Sequence, residues 1–152
     1  MNEEIIKRWN ELVSPEDTVY VLGDLMLGDN NEGVKCLDRL NGIIEVVFGN
    51  HDTDSRKQLM ARRCILLGYS TVIKYNGYRI YLSHYPTMVE NFDKNKPLKK
   101  RTLNFYGHTH QDTNFYSNNP CMYHVGIDSH NLAPVLITDI IMECENKLKE
   151  EA

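Results

Sequence analysis

Three short apolar segments of the sequence each run directly into a glycine followed by a polar residue. Segments of this length, rich in β-branched and aromatic residues, predict buried strands. Glycine lets the chain leave a strand sharply and lets other groups approach the backbone closely. Polar residues that follow the strands of a layered α/β fold meet at one edge of the sheet, which predicts a polar site there. The junctions are Thr18–Leu22 with Gly23-Asp24, Ile43–Phe48 with Gly49-Asn50, and Leu103–Tyr106 with Gly107-His108.

The remaining pattern mixes helices and strands. Apolar residues at helical spacing predict helices over 3–13, 32–41, 54–63 and 138–150. Asn76-Gly77 between two alternating runs, 71–75 and 78–83, predicts a β-hairpin with a type I′ turn. Residues 122–125 predict another short strand. A first half that alternates helix and strand, followed by a strand-rich second half, predicts an α/β or α+β layered fold.

Length and composition predict one globular domain over residues 1–152. Hydrophobic residues make up 41% of the chain, enough for a core, and the net charge of −4 gives no sign of nucleic-acid binding. The N-terminus lacks the apolar run of a signal peptide, and no stretch has the ~20 apolar residues of a membrane span. We therefore expect a cytoplasmic protein with no membrane partner. The four cysteines lack zinc-finger spacing and predict reduced, partly buried thiols.

A set of carboxylate, amide and imidazole groups follows the predicted strands. Such groups together favour Mn²⁺, Fe, Zn²⁺ or Mg²⁺ without a cysteine ligand. Each piece alone has an ordinary structural interpretation, because Gly-Asp is typical of turns, Asn-His-Asp of helix caps and a single histidine of hydrogen-bonded cores. Their conjunction, in order and each after an apolar strand, favours a metal site. The residues are Asp24, Asn50, His51, Asp52, His84, His108 and His110.

This ordered set resembles the calcineurin-like metallophosphoesterase family, in particular its small single-domain members from bacteria and phages. The matching motifs cover about residues 20–110, most of the chain. The resemblance implies two β-sheets packed as a sandwich and flanked by helices, with a pair of divalent metal ions at the strand ends. Mn²⁺ is the first choice, and Fe, Zn²⁺, Ni²⁺ and Mg²⁺ are alternatives. The matching motifs are Gly23-Asp24, Gly49-Asn50-His51-Asp52, His84 and Gly107-His108-Thr109-His110.

The resemblance also assigns roles to individual residues. Asp24 would bridge the two metals, and Asn50, His84 and His108 would complete the second metal site. His110 would bind the first metal. Asn50 and His51 would bind the substrate, with His51 as proton donor or stabiliser of the transition state. The implied reaction is hydrolysis of a phosphodiester or phosphomonoester through a metal-bound hydroxide.

The sequence departs from the family at its beginning. Family members open with a strand followed by Asp-x-His, which supplies two ligands of the first metal, and nothing before Asp24 matches this motif. We therefore predict a chain that begins late, lacks the first strand and holds perhaps one metal instead of two. An absent strand would leave an open sheet edge, so we expect reduced stability, self-association or dependence on another chain.

Two functions follow from these observations. The intact motifs favour a metal-dependent phosphoesterase, whereas the missing Asp-x-His favours a truncated, non-catalytic remnant that keeps the fold and binds at most one metal ion. A basic segment from Lys94 to Arg101 leads towards the His108 motif. It is interpreted as a solvated loop, with a clamp for the substrate phosphate as the alternative.

Overall fold

Two β-sheets flanked by helices make up the part of the chain that the computed structural model describes, residues 3–25, 29–87, 95–107, 119–126 and 133–151. The predicted mixed fold with two sheets is therefore confirmed. In chain order the elements are α1 (Glu3–Leu12), β1 (Thr18–Leu22), α2 (Asn30–Arg39), β2 (Ile43–Val47), α3 (Asp54–Met60), β3 (Ile65–Leu66), β4 (Ser70–Tyr75), β5 (Tyr78–Ser83), a 3₁₀ turn (Leu98–Lys100), β6 (Thr102–Tyr106), β7 (Met122–His124) and α4 (Ile137–Glu151).

The first sheet is parallel and has the order β1-β2-β3. All three carboxyl ends therefore lie at one edge, which is where the predicted site residues follow β1 and β2. The sequence pattern did not predict β3, because two residues are too few for a periodic signal. Among the described residues β1 pairs only with β2, and self-association through its other edge stays a prediction.

The second sheet has the order β4-β5-β6-β7. The β4–β5 hairpin is antiparallel, and its turn residues Asn76 and Gly77 both have positive φ angles, 49° and 85°, as a type I′ turn requires. β5, β6 and β7 run parallel, so β5 and β6 end side by side. The backbone N–H of Gly107 donates to the carbonyl of His84 at 3.0 Å and joins the two segments just past these ends.

Side chains of the first sheet alternate between two hydrophobic cores, as the two-residue period of a strand dictates. One face packs against α1, α2 and α3, and the opposite face packs against the second sheet and α4. Both faces are covered by other elements, which explains why the sequences of β1 and β2 are continuous apolar runs. Val19, Val21, Ile44 and Val46 lie on the helix side, and Tyr20, Leu22 and Val47 lie on the other.

The first helix is docked by its tryptophan. Trp9 is buried and donates from Nε1 to the carbonyl of Asn41 at 2.9 Å, which satisfies the indole N–H inside the core.

The second helix begins two residues earlier than predicted, because the carboxylate of Asp29 accepts from the N–H of Asn31 and caps its first turn.

Polar and reactive side chains outside the strand ends are mostly structural. All four cysteines are buried and none forms a disulfide. Burial raises the pKa of the Cys144 thiol to about 12, so this thiol stays protonated at neutral pH. Arg101 of the basic segment is buried rather than solvated, and its Nε donates to the carbonyl of Lys96 at 2.8 Å.

A membrane-spanning segment would need a long apolar helix, and the described ranges contain none.

The core on the helix side predicts a clear stability difference between two leucines. Leu37 is fully buried there, whereas Leu12 is largely exposed on α1. We expect Leu37→Ala to lower the free energy of unfolding by about 2–5 kcal/mol through lost burial and a cavity. The control Leu12→Ala should change it by about 0.5 kcal/mol or less. Urea titration followed by fluorescence of Trp9, the single tryptophan, measures both, and equal losses would contradict the assigned packing.

Candidate metal centre

The junction after β1 turns sharply through two residues with positive φ. Gly23 has φ 95° and Asp24 has φ 55°. The left-handed region is open to glycine and is tolerated by aspartate more than by most other residues. This turn brings the Asp24 carboxylate into the interior, where its side chain is only 4% exposed.

A reciprocal set of hydrogen bonds joins this turn to the turn after β2. Asp52 Oδ2 accepts from the backbone N–H groups of Gly49, at 2.7 Å, and Asp24, at 3.0 Å. In return, Asp24 Oδ1 accepts from the N–H of His51 at 2.8 Å. The two carboxylates therefore fix the neighbouring strand ends relative to each other through charge-assisted bonds.

Glycines at three junctions allow the backbones to approach each other. A Cβ on Gly23 would collide with His84 Nδ1, and a Cβ on Gly49 would collide with Asp24 Oδ1. A Cβ on Gly107 would lie 2.9 Å from the carbonyl oxygen of Leu22. Because each position leaves no room for a side chain, the glycines noted in the sequence serve close packing between the strand ends.

His84 reaches the site from the second sheet and is almost fully buried. Its Nδ1 lies 2.8 Å from the carbonyl oxygen of Leu22, which only accepts hydrogen bonds, so Nδ1 carries the proton. In the neutral ring Nε2 then presents a lone pair. That atom lies 2.9 Å from Asn50 Oδ1 and 3.2 Å from Asp24 Oδ2.

Two oxygens that can donate an electron pair, Asp24 Oδ2 and Asn50 Oδ1, therefore lie within 3.2 Å of the third such atom, His84 Nε2. Asp24 Oδ2 is buried and has no hydrogen-bond donor among the described residues, except a protonated His84 Nε2 at 3.2 Å. Rotating the Asn50 amide by 180° would place a donor against the imidazole instead of an acceptor. Ligands of one octahedral ion at about 2.1 Å lie about 3 Å apart, close to the observed spacing. The arrangement fits a divalent cation.

The structure thus brings together Asp24, Asn50 and His84, three of the five predicted ligands, with His51 beside them. The other two, His108 and His110, lie outside the described residues. Within the described ranges no metal site is formed by three or more His, Cys, Asp or Glu side chains. The cluster described above has only two such side chains, because its third ligand atom comes from an asparagine.

Comparison with known proteins identifies the family. The family model for the calcineurin-like phosphoesterase superfamily domain matches residues 1–146. The chain belongs to this superfamily. The resemblance predicted from its motifs is therefore confirmed, whereas the consequences of the missing Asp-x-His stay a prediction.

Relatives of this phosphoesterase-family chain extend over nearly all of it. An uncharacterized protein of Methanocaldococcus jannaschii is 32% identical over 98% of this chain and 77% of its own length. The Gene 66 protein of Mycobacterium phage D29 is 28% identical over 93% of this chain and 81% of its own length. A crystal structure of a protein of unknown function from Aquifex aeolicus, 24% identical, has a TM-score of 0.67 over 90% of this chain and 81% of its own. That likeness supports the fold alone.

The structural roles of two residues that support the site of this superfamily member escaped the sequence analysis. Asp52 holds both strand-end turns, while Thr53 rather than Asp52 caps α3 by accepting from the N–H of Arg56. The guanidinium of Arg56 donates to the carbonyl of His51 at 2.8 Å and to Asn30 Oδ1 at 2.9 Å. The backbone of His51 is therefore fixed at both its N–H and its carbonyl. A single acid or arginine near a turn carries no sequence signal for such bonds.

A buried asparagine fixes the segment that follows His84. Asn104 is completely buried in β6, and its Oδ1 accepts from the N–H of Thr87 at 2.8 Å. Its Nδ2 lies 3.0 Å from both the carbonyl of Tyr81 and the hydroxyl of Ser83. The amide thus anchors the strand before His84 and the turn after it to the neighbouring strand.

Two glycines with similar φ provide a matched test of the close packing. Gly23 and Gly68 have φ 95° and 87°, but a Cβ on Gly68 would meet nothing within 4 Å. Alanine at either position costs about 1–2 kcal/mol for the left-handed backbone. We expect Gly23→Ala to cost about 1–3 kcal/mol more, because its methyl group collides with His84 and Gly49. Denaturant unfolding measures both variants, and equal losses would contradict this packing.

Proposed function

We propose that this chain is a metal-dependent phosphoesterase that hydrolyses a phosphodiester or phosphomonoester. The observation that carries the proposal is the convergence of Asp24 Oδ2, Asn50 Oδ1 and His84 Nε2 at the strand ends. Leaving a buried carboxylate oxygen without a donor costs free energy, which a bound cation would offset. Membership of the calcineurin-like phosphoesterase superfamily supports phosphate-ester hydrolysis as the use of such a cation.

Asp24, Asn50 and His84 would hold the ion in this proposal. Predicted further ligands are His108 for the same ion and His110 for a second one. Mn²⁺ is the first choice, because oxygen and imidazole donors together suit borderline divalent metals. When bound, a divalent ion stabilises negative charge on the phosphoryl oxygens and makes water acidic enough to act as a nucleophile near neutral pH.

His51 is the proposed proton donor. It is exposed beside the ligand cluster, while its backbone is fixed by Asp24 Oδ1 on one side and Arg56 on the other. In the reaction a water oxygen forms a bond to phosphorus, and the bond from phosphorus to the ester oxygen breaks. His51 gives a proton to that departing oxygen, so the leaving group departs as a neutral alcohol.

A second function is a protein that keeps the fold and binds at most one metal ion without turnover. The described ligand cluster supports it, because Asp24, Asn50 and His84 surround the place of one ion. Metal binding alone is therefore common to both proposals, and turnover separates them.

Hydrolysis of bis(p-nitrophenyl) phosphate with added Mn²⁺ tests the enzyme proposal. We expect turnover that a chelator abolishes and Mn²⁺ restores. Asp24→Asn should lower kcat/KM at least about 100-fold, because it weakens the ligand set. The control Asp54→Asn changes a side chain that is 98% exposed and should leave activity unchanged. Calorimetric titration with Mn²⁺ follows the metal directly. A folded chain that binds Mn²⁺ without turnover would replace the enzyme proposal with the non-catalytic one.

His51→Gln separates proton donation from metal binding. The substitution keeps the backbone N–H that donates to Asp24 but removes the imidazole. We expect kcat to fall by about 10²–10⁴-fold, the usual contribution of a general acid, with Mn²⁺ affinity unchanged. Substrates with a more acidic leaving alcohol should lose less, because they need less protonation. An equal loss for all leaving groups would contradict proton donation by His51.

A further inference from the structure

An exposed tyrosine follows the third strand at the same edge of the sheet as the proposed site. Asp24 follows β1, His51 follows β2, and Tyr69 follows β3 after Leu67 and Gly68. Because the three strands are parallel, these residues form a row in that order. Neighbouring strands lie about 4.8 Å apart, so the ends of β1 and β3 are about 10 Å apart, the length of a small organic group.

The ring of Tyr69 is fixed although it is 68% exposed. The N–H of Phe48 donates to the carbonyl of Gly68, the residue before Tyr69, at 2.8 Å. The rings of Phe48 and Tyr69 meet edge to face with centroids 5.5 Å apart. Lys57 Nζ donates to the Tyr69 hydroxyl at 2.7 Å and lies 4.4 Å and 4.7 Å from the centroids of Phe48 and Tyr69. Since the ring is already held, stacking a ligand on it immobilises little further.

The order of the row indicates where the leaving group lies. In the proposed reaction His51 protonates the departing oxygen, and His51 stands between Asp24 and β3. The organic part attached to that oxygen therefore extends towards the end of β3, where the Tyr69 ring is exposed. The ammonium group of Lys57 lies beside this path and favours an anionic ester.

We propose that Tyr69, held by Phe48 and Lys57, stacks on a planar aromatic leaving group, either an aryl alcohol or a nucleoside. This inference rests on the proposed phosphoesterase function and names the substrate class for it. Aromatic stacking on a fixed ring discriminates between planar and non-planar groups of equal size, which hydrophobic burial alone does not.

Two matched ligand pairs test the subsite without turnover. Calorimetric titrations of the Mn²⁺-loaded protein compare phenylphosphonate with cyclohexylphosphonate, and adenosine 5′-monophosphate with ribose 5-phosphate. We expect the wild-type chain to prefer the planar member of at least one pair by about fivefold to tenfold. Tyr69→Ala should abolish that preference, whereas Tyr69→Phe should keep most of it. Val72→Ala, at a 53% exposed position on β4, is the control and should keep all of it.

The outcomes are distinguishable from those of the activity test. A Tyr69-dependent preference in the phosphonate pair identifies an aryl group, and one in the nucleotide pair identifies a nucleoside. Equal affinities within both pairs, or a preference that Tyr69→Ala leaves intact, would overturn the subsite. That result leaves the hydrolysis of bis(p-nitrophenyl) phosphate to be judged by its own measurement. Because Tyr69→Ala also removes the contacts with Phe48 and Lys57, urea unfolding of each variant checks that the chain is fully folded under the conditions of the titrations.

Discussion

The hydrogen bond between His84 Nδ1 and the carbonyl of Leu22 is the interaction on which the site depends. Leu22 ends β1 in the first sheet, and His84 follows β5 in the second, so this one bond joins the two sheets at the strand ends. It also fixes the tautomer, because the carbonyl oxygen requires a proton on Nδ1. The other nitrogen is thereby directed, with its lone pair, at oxygens of the first sheet.

The arrangement that suits a cation is unfavourable without one. Oδ2 of Asp24, whose side chain is only 4% exposed, and the amide oxygen of Asn50 both face Nε2 of His84. A divalent ion satisfies all three atoms at once, so binding it would stabilise the folded chain by mass action. The backbone N–H groups of Asp24 and Gly49 donate to Asp52 Oδ2 and therefore do not satisfy Asp24 Oδ2.

Much of the fold and part of the site could be predicted because they depend on local patterns. The strands before Asp24 and His84 follow from apolar periodicity, and the hairpin follows from Asn76-Gly77. The supporting contacts could not be predicted. In the sequence Asn104 interrupts an apolar strand with a polar residue. In the structure it is fully buried, and its amide donates a hydrogen bond to the neighbouring strand β5. Arg56 reads as one of several basic residues on a helix. Contacts between distant segments leave no periodic signal in a single sequence.

The parallel order of the first sheet separates the chemical roles in space. A proposed ligand for the cation follows β1, the proposed proton donor follows β2, and an exposed ring follows β3. The first two positions are constrained by Asp52 and by glycines that tolerate no Cβ. Gly68, beside Tyr69, differs from them, because a Cβ added there would meet no other atom within 4 Å. Changes at the end of β3 can therefore alter which alcohol is accepted while the ligand cluster and the proton donor stay in place. This places substrate choice in the part of the edge that packing constrains least.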